Sequence, residues 1–104
     1  MAKQKFLARL IPPRPTFAED ASPEEVALMR EHLAYTQQHF DAGRVLLFGP
    51  VLAESGTYGV AVMDVDDITD VHDFMSNDPS VLAGLNTYDI APMRIAGAQA
   101  PRPK

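Results

Sequence analysis

The sequence predicts an α+β fold in which the elements run β-α-β-β-α-β. Three observations predict it. Four short apolar segments are separated by two stretches with helical periodicity. Prolines and glycines fall at the joints between these segments. The chain, 104 residues with no cysteine, is long enough for one hydrophobic core without disulfide staples.

The first strand is read at 5–11, KFLARLI, and it stops at Pro12-Pro13, which cannot continue a ladder. PPRPTFAEDA follows as a loop. Ser22-Pro23-Glu24-Glu25 is a helix start: Ser22 is the N-cap, Pro23 takes the first helical position and Glu25 closes a capping box. Val26, Met29, Leu33, Thr36 and Phe40 recur at helical spacing, and Gly43 supplies a left-handed stop. RVLLFG (44–49) and TYGVAVMDV (57–65) read as strands, joined through the turn signal Ser55-Gly56. Asp66 or Asp67 caps a second helix with Ile68, Val71 and Met75 on one face. Asp78-Pro79 restarts a short helical turn that ends near Gly84. TYDIAPMRI (87–95) is the last strand, and Pro92 implies an edge or a bulge.

This order is the split βαβ of a ferredoxin-like sandwich: a four-stranded antiparallel sheet with two main helices on one face. Residues 1–96 form a single domain, and 97–104 is expected to be a flexible tail. The second and third strands are apolar on both sides: Val45 and Leu47 against Leu46 and Phe48, and Val60 and Val62 against Ala61 and Met63. Two helices cover one face only. A second copy of the chain is the simplest cover for the other, which makes a homodimer the expected state.

Net charge is −5 and the nine Lys and Arg are scattered, so nucleic acid is not an expected partner. The opening MAKQKFLARL has too short an apolar run for a secretory signal or a membrane span. The absence of cysteine removes disulfides, thiolate nucleophiles and cysteine-ligated metals, and a reducing cytoplasm is the expected location.

His32 and His39 lie on the long helix, beside the apolar stripe of Val26, Met29, Leu33 and Phe40, on a second line with Leu28 and Tyr35. Such a line faces a pocket rim, a subunit contact or water. Seven residues separate the two rings by about 10 Å along the axis, too far to share one ion. His72 lacks a carboxylate-rich partner motif. The ordinary reading of His39 is a cation at a helix C-terminus, and that of His32 a boundary residue. Asp78 before Pro79 is by itself a helix N-cap. The acidic run from Asp64 to Asp73 fails as a calcium loop, because Thr69 stands where glycine is required and Met75 where the bidentate glutamate belongs.

HLAYTQQHFDAGRVLLFGP from His32, and FMSNDPSVLAGLNTYDIAPM after the third strand, together resemble the YciI-like (YCII-related) family. The shared pattern is a mid-helix histidine, a Gly-Arg helix stop, a strand ending in Gly-Pro and an Asp-Pro turn leading to Gly-Leu and a final strand. It runs from Phe6 to about Ile95. The resemblance implies a dimeric α+β barrel, in which the sheet packs on a partner's sheet. It also implies that the family's histidine–aspartate pair falls on His32 and Asp78, and a chemistry such as loss of chloride from chlorinated hydroxyquinones. Two positions depart from the pattern: Ser80 stands where an aromatic is common, and Met29 where an arginine is frequent.

A carboxylate that accepts the N–H of one imidazole nitrogen fixes the tautomer and leaves the other nitrogen free as a base. Capping and orienting can coexist, because a carboxylate has about four lone-pair sites. No activated nucleophile is evident. The expectation is a small enzyme of lyase or isomerase type with His32 as base and Asp78 as its orienter. The alternative is a non-catalytic ligand-binding or regulatory module on the same fold. Gly49 and Pro50 would let a small-molecule ligand approach backbone, and Arg9 and Tyr88 would supply anion or hydroxyl contacts. No cofactor motif appears, and no cofactor or metal is expected.

Overall fold

The computed structural model describes residues 3–99. The expected tail falls partly outside them, beyond residue 99. The elements are β1 Gln4–Ile11, α1 Phe17–Asp20, α2 Pro23–Asp41, β2 Val45–Val51, β3 Tyr58–Val65, α3 Ile68–Ser76, α4 Pro79–Leu82 and β4 Thr87–Met93. They form one sheet in the order β2-β3-β1-β4, with every neighbouring pair antiparallel. This is the α+β, ferredoxin-like arrangement that the element order predicts. Pro92 sits on the edge strand β4, where its missing N–H costs no ladder bond.

Strand alternation builds the core. Phe6, Ala8 and Leu10 of β1 pair with Met63, Ala61 and Gly59 of β3, and this face meets Val71, Phe74 and Met75 of α3. Lys5, Leu7 and Arg9 project from the opposite face. On β2 the alternation is interrupted. A bulge at Leu46 places Val45 opposite Met63 and then Leu47 opposite Val62. Val45 and Phe48 therefore share the helix-covered face and Leu47 the open one. This corrects the expected grouping of Val45 with Leu47, because one extra residue inverts the side-chain parity downstream. The open face carries Leu7, Leu47, Val60 and Val62, with the ion pairs Lys5–Asp64 and Arg9–Asp89 beside them.

α2 begins as its capping box dictates: Ser22 Oγ accepts from the Glu25 N–H at 3.2 Å, and Glu25 Oε1 accepts from the Ser22 N–H at 2.9 Å. Its orientation differs from the periodicity reading. Leu33 and Phe40 are 54% and 40% exposed, whereas Thr36 is buried and His32, Tyr35 and His39 are half-buried. The helix is turned by roughly a quarter of a circle from the face its apolar stripe implies. The cause lies in α3 and α4. The Tyr35 hydroxyl donates to the Phe74 carbonyl at 2.7 Å, His39 packs edge-on to Phe74 at 4.7 Å, and His32 bonds to Asp78. Directional contacts outweigh the apolar stripe here.

The segment expected as a plain loop contains the single turn α1, which buries Phe17. Arg14 fastens it, donating from Nε to Asp20 at 2.8 Å and from Nη1 and Nη2 to Glu25 at 3.0 and 2.8 Å. Among the described residues no helix is long and apolar enough to cross a membrane.

Candidate functional site

Asp78 follows Asn77, which closes α3, and itself caps α4. Its Oδ1 accepts from the Ser80 N–H at 2.8 Å and from the Ser80 hydroxyl at 2.6 Å. Its Oδ2 faces Nδ1 of His32 at 2.5 Å, across 46 positions of sequence. Capping thus occupies one oxygen and the imidazole the other. The carboxyl is 1% exposed and the ring 16%. Burial pushes the Asp78 carboxyl up, but the hydrogen bonds from His32 and Ser80 and the charge of His32 outweigh it, so its pKa lies below the ordinary carboxylate value. An ionised carboxylate only accepts, so Nδ1 carries the proton and Nε2 is the nitrogen left for other partners.

His32 and Asp78 stand in the wall of a cavity of about 350 Å³ between α2 and the sheet. Ala8, Leu10, Phe17, Leu33, Phe48 and Phe74 make most of its surface apolar, and Thr36, Thr57 and Asn86 add polar atoms. Gly49 and Pro50 line the same space. Arg9 and Tyr88 do not. Arg9 projects from the open face, where it pairs with Asp89 at 2.5 Å and lies over the Tyr58 ring. Tyr88 packs against the core beyond the cavity, its hydroxyl 3.2 Å from Nδ1 of His72. Strand parity sends Arg9 the wrong way: Ala8 and Leu10 are the inward neighbours.

His39 is not the helix-end cation that its position suggests. Burial and the neighbouring Arg44 charge push its pKa down, and its Nδ1 accepts from Arg44 Nε at 2.9 Å. The positive charge near the end of α2 therefore belongs to Arg44. Burial, followed by the Asp78 charge, raises the Tyr35 phenol. Among the described residues no three histidine, aspartate or glutamate side chains converge as a metal-binding group.

Asn86 carries no signal in the sequence, and Ser80 is marked there only as a departure from the family pattern. Ser80 is fully buried with both donors on Asp78. The Asp-Pro cap predicted the backbone bond but gave no sign of the hydroxyl. Asn86 is buried in the cavity wall, yet Leu-Asn-Thr between a glycine and a strand reads as an ordinary polar turn.

A family model described as YCII-related domain matches residues 6–94. No curated protein matches the chain. Among solved structures, the 5-chloro-2-hydroxyhydroquinone dehydrochlorinase TftG from Burkholderia phenoliruptrix, in complex with 2,5-dihydroxybenzoquinone, is similar in fold. It has a TM-score of 0.67 and 20% identity, over 86% of this chain and 93% of that one.

Proposed function

We infer the function from one premise: the chain belongs to the family of YCII-related domains. It is a small cofactor-independent enzyme that moves a proton on an uncharged, ring-sized organic substrate, as a lyase or an isomerase does. His32 is the base and Asp78 its orienter. The observation that carries this reading is the 2.5 Å bond between a nearly inaccessible carboxylate and a ring that borders an apolar cavity.

The chemistry follows from the bonds. Asp78 holds the Nδ1 proton, so the lone pair of Nε2 is available to take a proton from a hydroxyl or an activated carbon. As the ring becomes imidazolium, the buried carboxylate offsets the new charge. The apolar lining excludes competing water and strengthens that attraction. His32 then returns the proton at another atom of the substrate or releases it to solvent. Loss of hydrogen chloride from a chlorinated hydroquinone is one such sequence. A hydroxyl proton moves to the carbon bearing chlorine. Chloride then departs with the bonding pair as a second hydroxyl proton is removed, and the ring ends as a quinone. The fold neighbour, which is named for dehydrochlorination of a hydroxyhydroquinone, supports the choice of this class.

The active form is a homodimer that packs the open sheet face of one copy on that of the other. Leu7, Leu47, Val60 and Val62 leave this face apolar in a single chain, and no helix covers it among the described residues.

The test uses hydroquinone and 5-chloro-2-hydroxyhydroquinone in deuterated buffer, with ring deuteration and chloride release as readouts. Turnover by the native protein that falls by about a thousandfold in His32→Ala is expected. Equal rates in the two proteins would sink the reading. Binding of these rings that is insensitive to His32→Gln, without turnover, would identify a ligand-binding module instead.

A further inference from the structure

Asn86, on the approach to β4, is 3% exposed. Its backbone is settled, the N–H donating to the Ser80 carbonyl at 3.1 Å. Its side chain is not. Nδ2 donates to Sδ of Met29 at 3.3 Å, and a thioether is a weak acceptor. Oδ1 is enclosed and has no partner. An amide offers two donors and two acceptor sites, and buried polar groups in folded proteins are as a rule bonded. Asn86 and Met29 both line the cavity that holds His32. Met29, which holds Nδ2, is unbranched with three rotatable bonds, so a ligand that displaces it would free the amide to turn its enclosed oxygen toward the cavity.

Charge narrows the ligand further. Among the described residues no lysine or arginine lines the cavity, and Asp78 places a carboxylate in its wall. An anion would enter an apolar space with no cation to meet it.

We propose that Asn86 is the specificity-determining residue of this cavity: its amide oxygen accepts a hydrogen bond from a hydroxyl of an uncharged ring whose reacting end faces His32. The assignment rests on the cavity being the ligand site proposed above.

Three probes of similar shape test it. Hydroquinone carries two hydroxyls, p-cresol replaces one with a methyl group, and 4-hydroxybenzoate replaces one with a carboxylate. Binding to the full chain is followed by NMR through the His32 ring signals and the Asn86 side-chain amide. Hydroquinone is expected to bind about tenfold more tightly than p-cresol, the equivalent of one hydrogen bond, and to shift the Asn86 amide. 4-Hydroxybenzoate is expected to bind more weakly than either. In Asn86→Leu the preference for hydroquinone over p-cresol disappears, while p-cresol binding shows that the cavity still forms. If the leucine variant does not fold, Asn86→Ala is measured in the same way. An unchanged preference in the variant, with His32 responding to both probes, overturns the Asn86 assignment alone. His32 signals unmoved by every probe overturn it together with the reading of the cavity.

Discussion

Asp78 shows how one side chain can hold two loyalties. Oδ1 belongs to the α4 cap and Oδ2 to His32. In Asp78→Asn the amide oxygen retains the cap, but the charge-assisted bond to the ring is lost. We expect a cost of about 3 kcal/mol at neutral pH, as when one partner of a buried pair is removed, measurable by urea unfolding. Because the folded-state pKa is depressed, this stabilisation is fully present above the ordinary value of 3.8 and is lost as pH falls through the lower folded value. The gap between native protein and variant should therefore close in acid. Ser80→Ala removes the 2.6 Å hydroxyl bond to the same carboxylate. It should cost about 2 kcal/mol and raise the Asp78 pKa, read as an acid transition that begins at higher pH and as a shifted carboxyl carbon titration.

At the scale of elements, two glycines and an arginine fix how successive segments join. Gly56 has φ +132°, and a Cβ there would stand 2.9 Å from the Pro15 carbonyl oxygen. Gly43 has φ +85° but open space around it. Gly43→Ala should cost about 1 kcal/mol for its backbone alone, and Gly56→Ala about 1–2 kcal/mol more, because Pro15 must also move. Thermal unfolding of the two variants separates strain from crowding. Arg14 ties α1 to the start of α2 through Asp20 and Glu25. Its bonds, and that from the Ser22 N–H, lower the Glu25 pKa to about 2. The clamp is complete above the ordinary glutamate value of 4.5 and weakens as pH falls toward the folded one. Arg14→Ala should speed hydrogen exchange at the Phe17 and Glu19 amides, which bond within the same segment, and leave the β1–β3 amides protected.

The whole molecule presents a sheet with one covered and one open apolar face. Leu47 lies on the open face, opposite Val62, and is 54% exposed in the single chain. Leu47→Glu therefore costs the isolated subunit little, but it would bury a charge between two copies packed sheet to sheet. Sedimentation should show the native protein as a dimer and the variant as a folded monomer. A native monomer would contradict the homodimer.

Local signals were enough to place most elements. The Ser22 capping box, the prolines that end β1 and open α2 and α4, and the short apolar runs of β1 and β3 act within a few residues, so the chain displays them before it folds. The histidine and the aspartate are different: locally they read as a boundary residue and a helix N-cap, and only the resemblance to the YciI-like family implied that they form a pair. Other features required the folded chain. The rotation of α2 depends on Phe74 and Asp78, which lie more than thirty positions further along. The parity of β2 depends on a bulge whose only trace is an extra leucine. Arg9 read as a pocket residue because pairing register, which decides the face, is a property of neighbouring strands. Asn86 and the Ser80 hydroxyl became visible only through burial. Sequence thus determined which segments form helices and strands, since caps, breakers and periodicity are local. Tertiary packing decided which face of each turns inward and which side chains meet, because hydrogen bonds and close contacts between distant segments are set by distance in space.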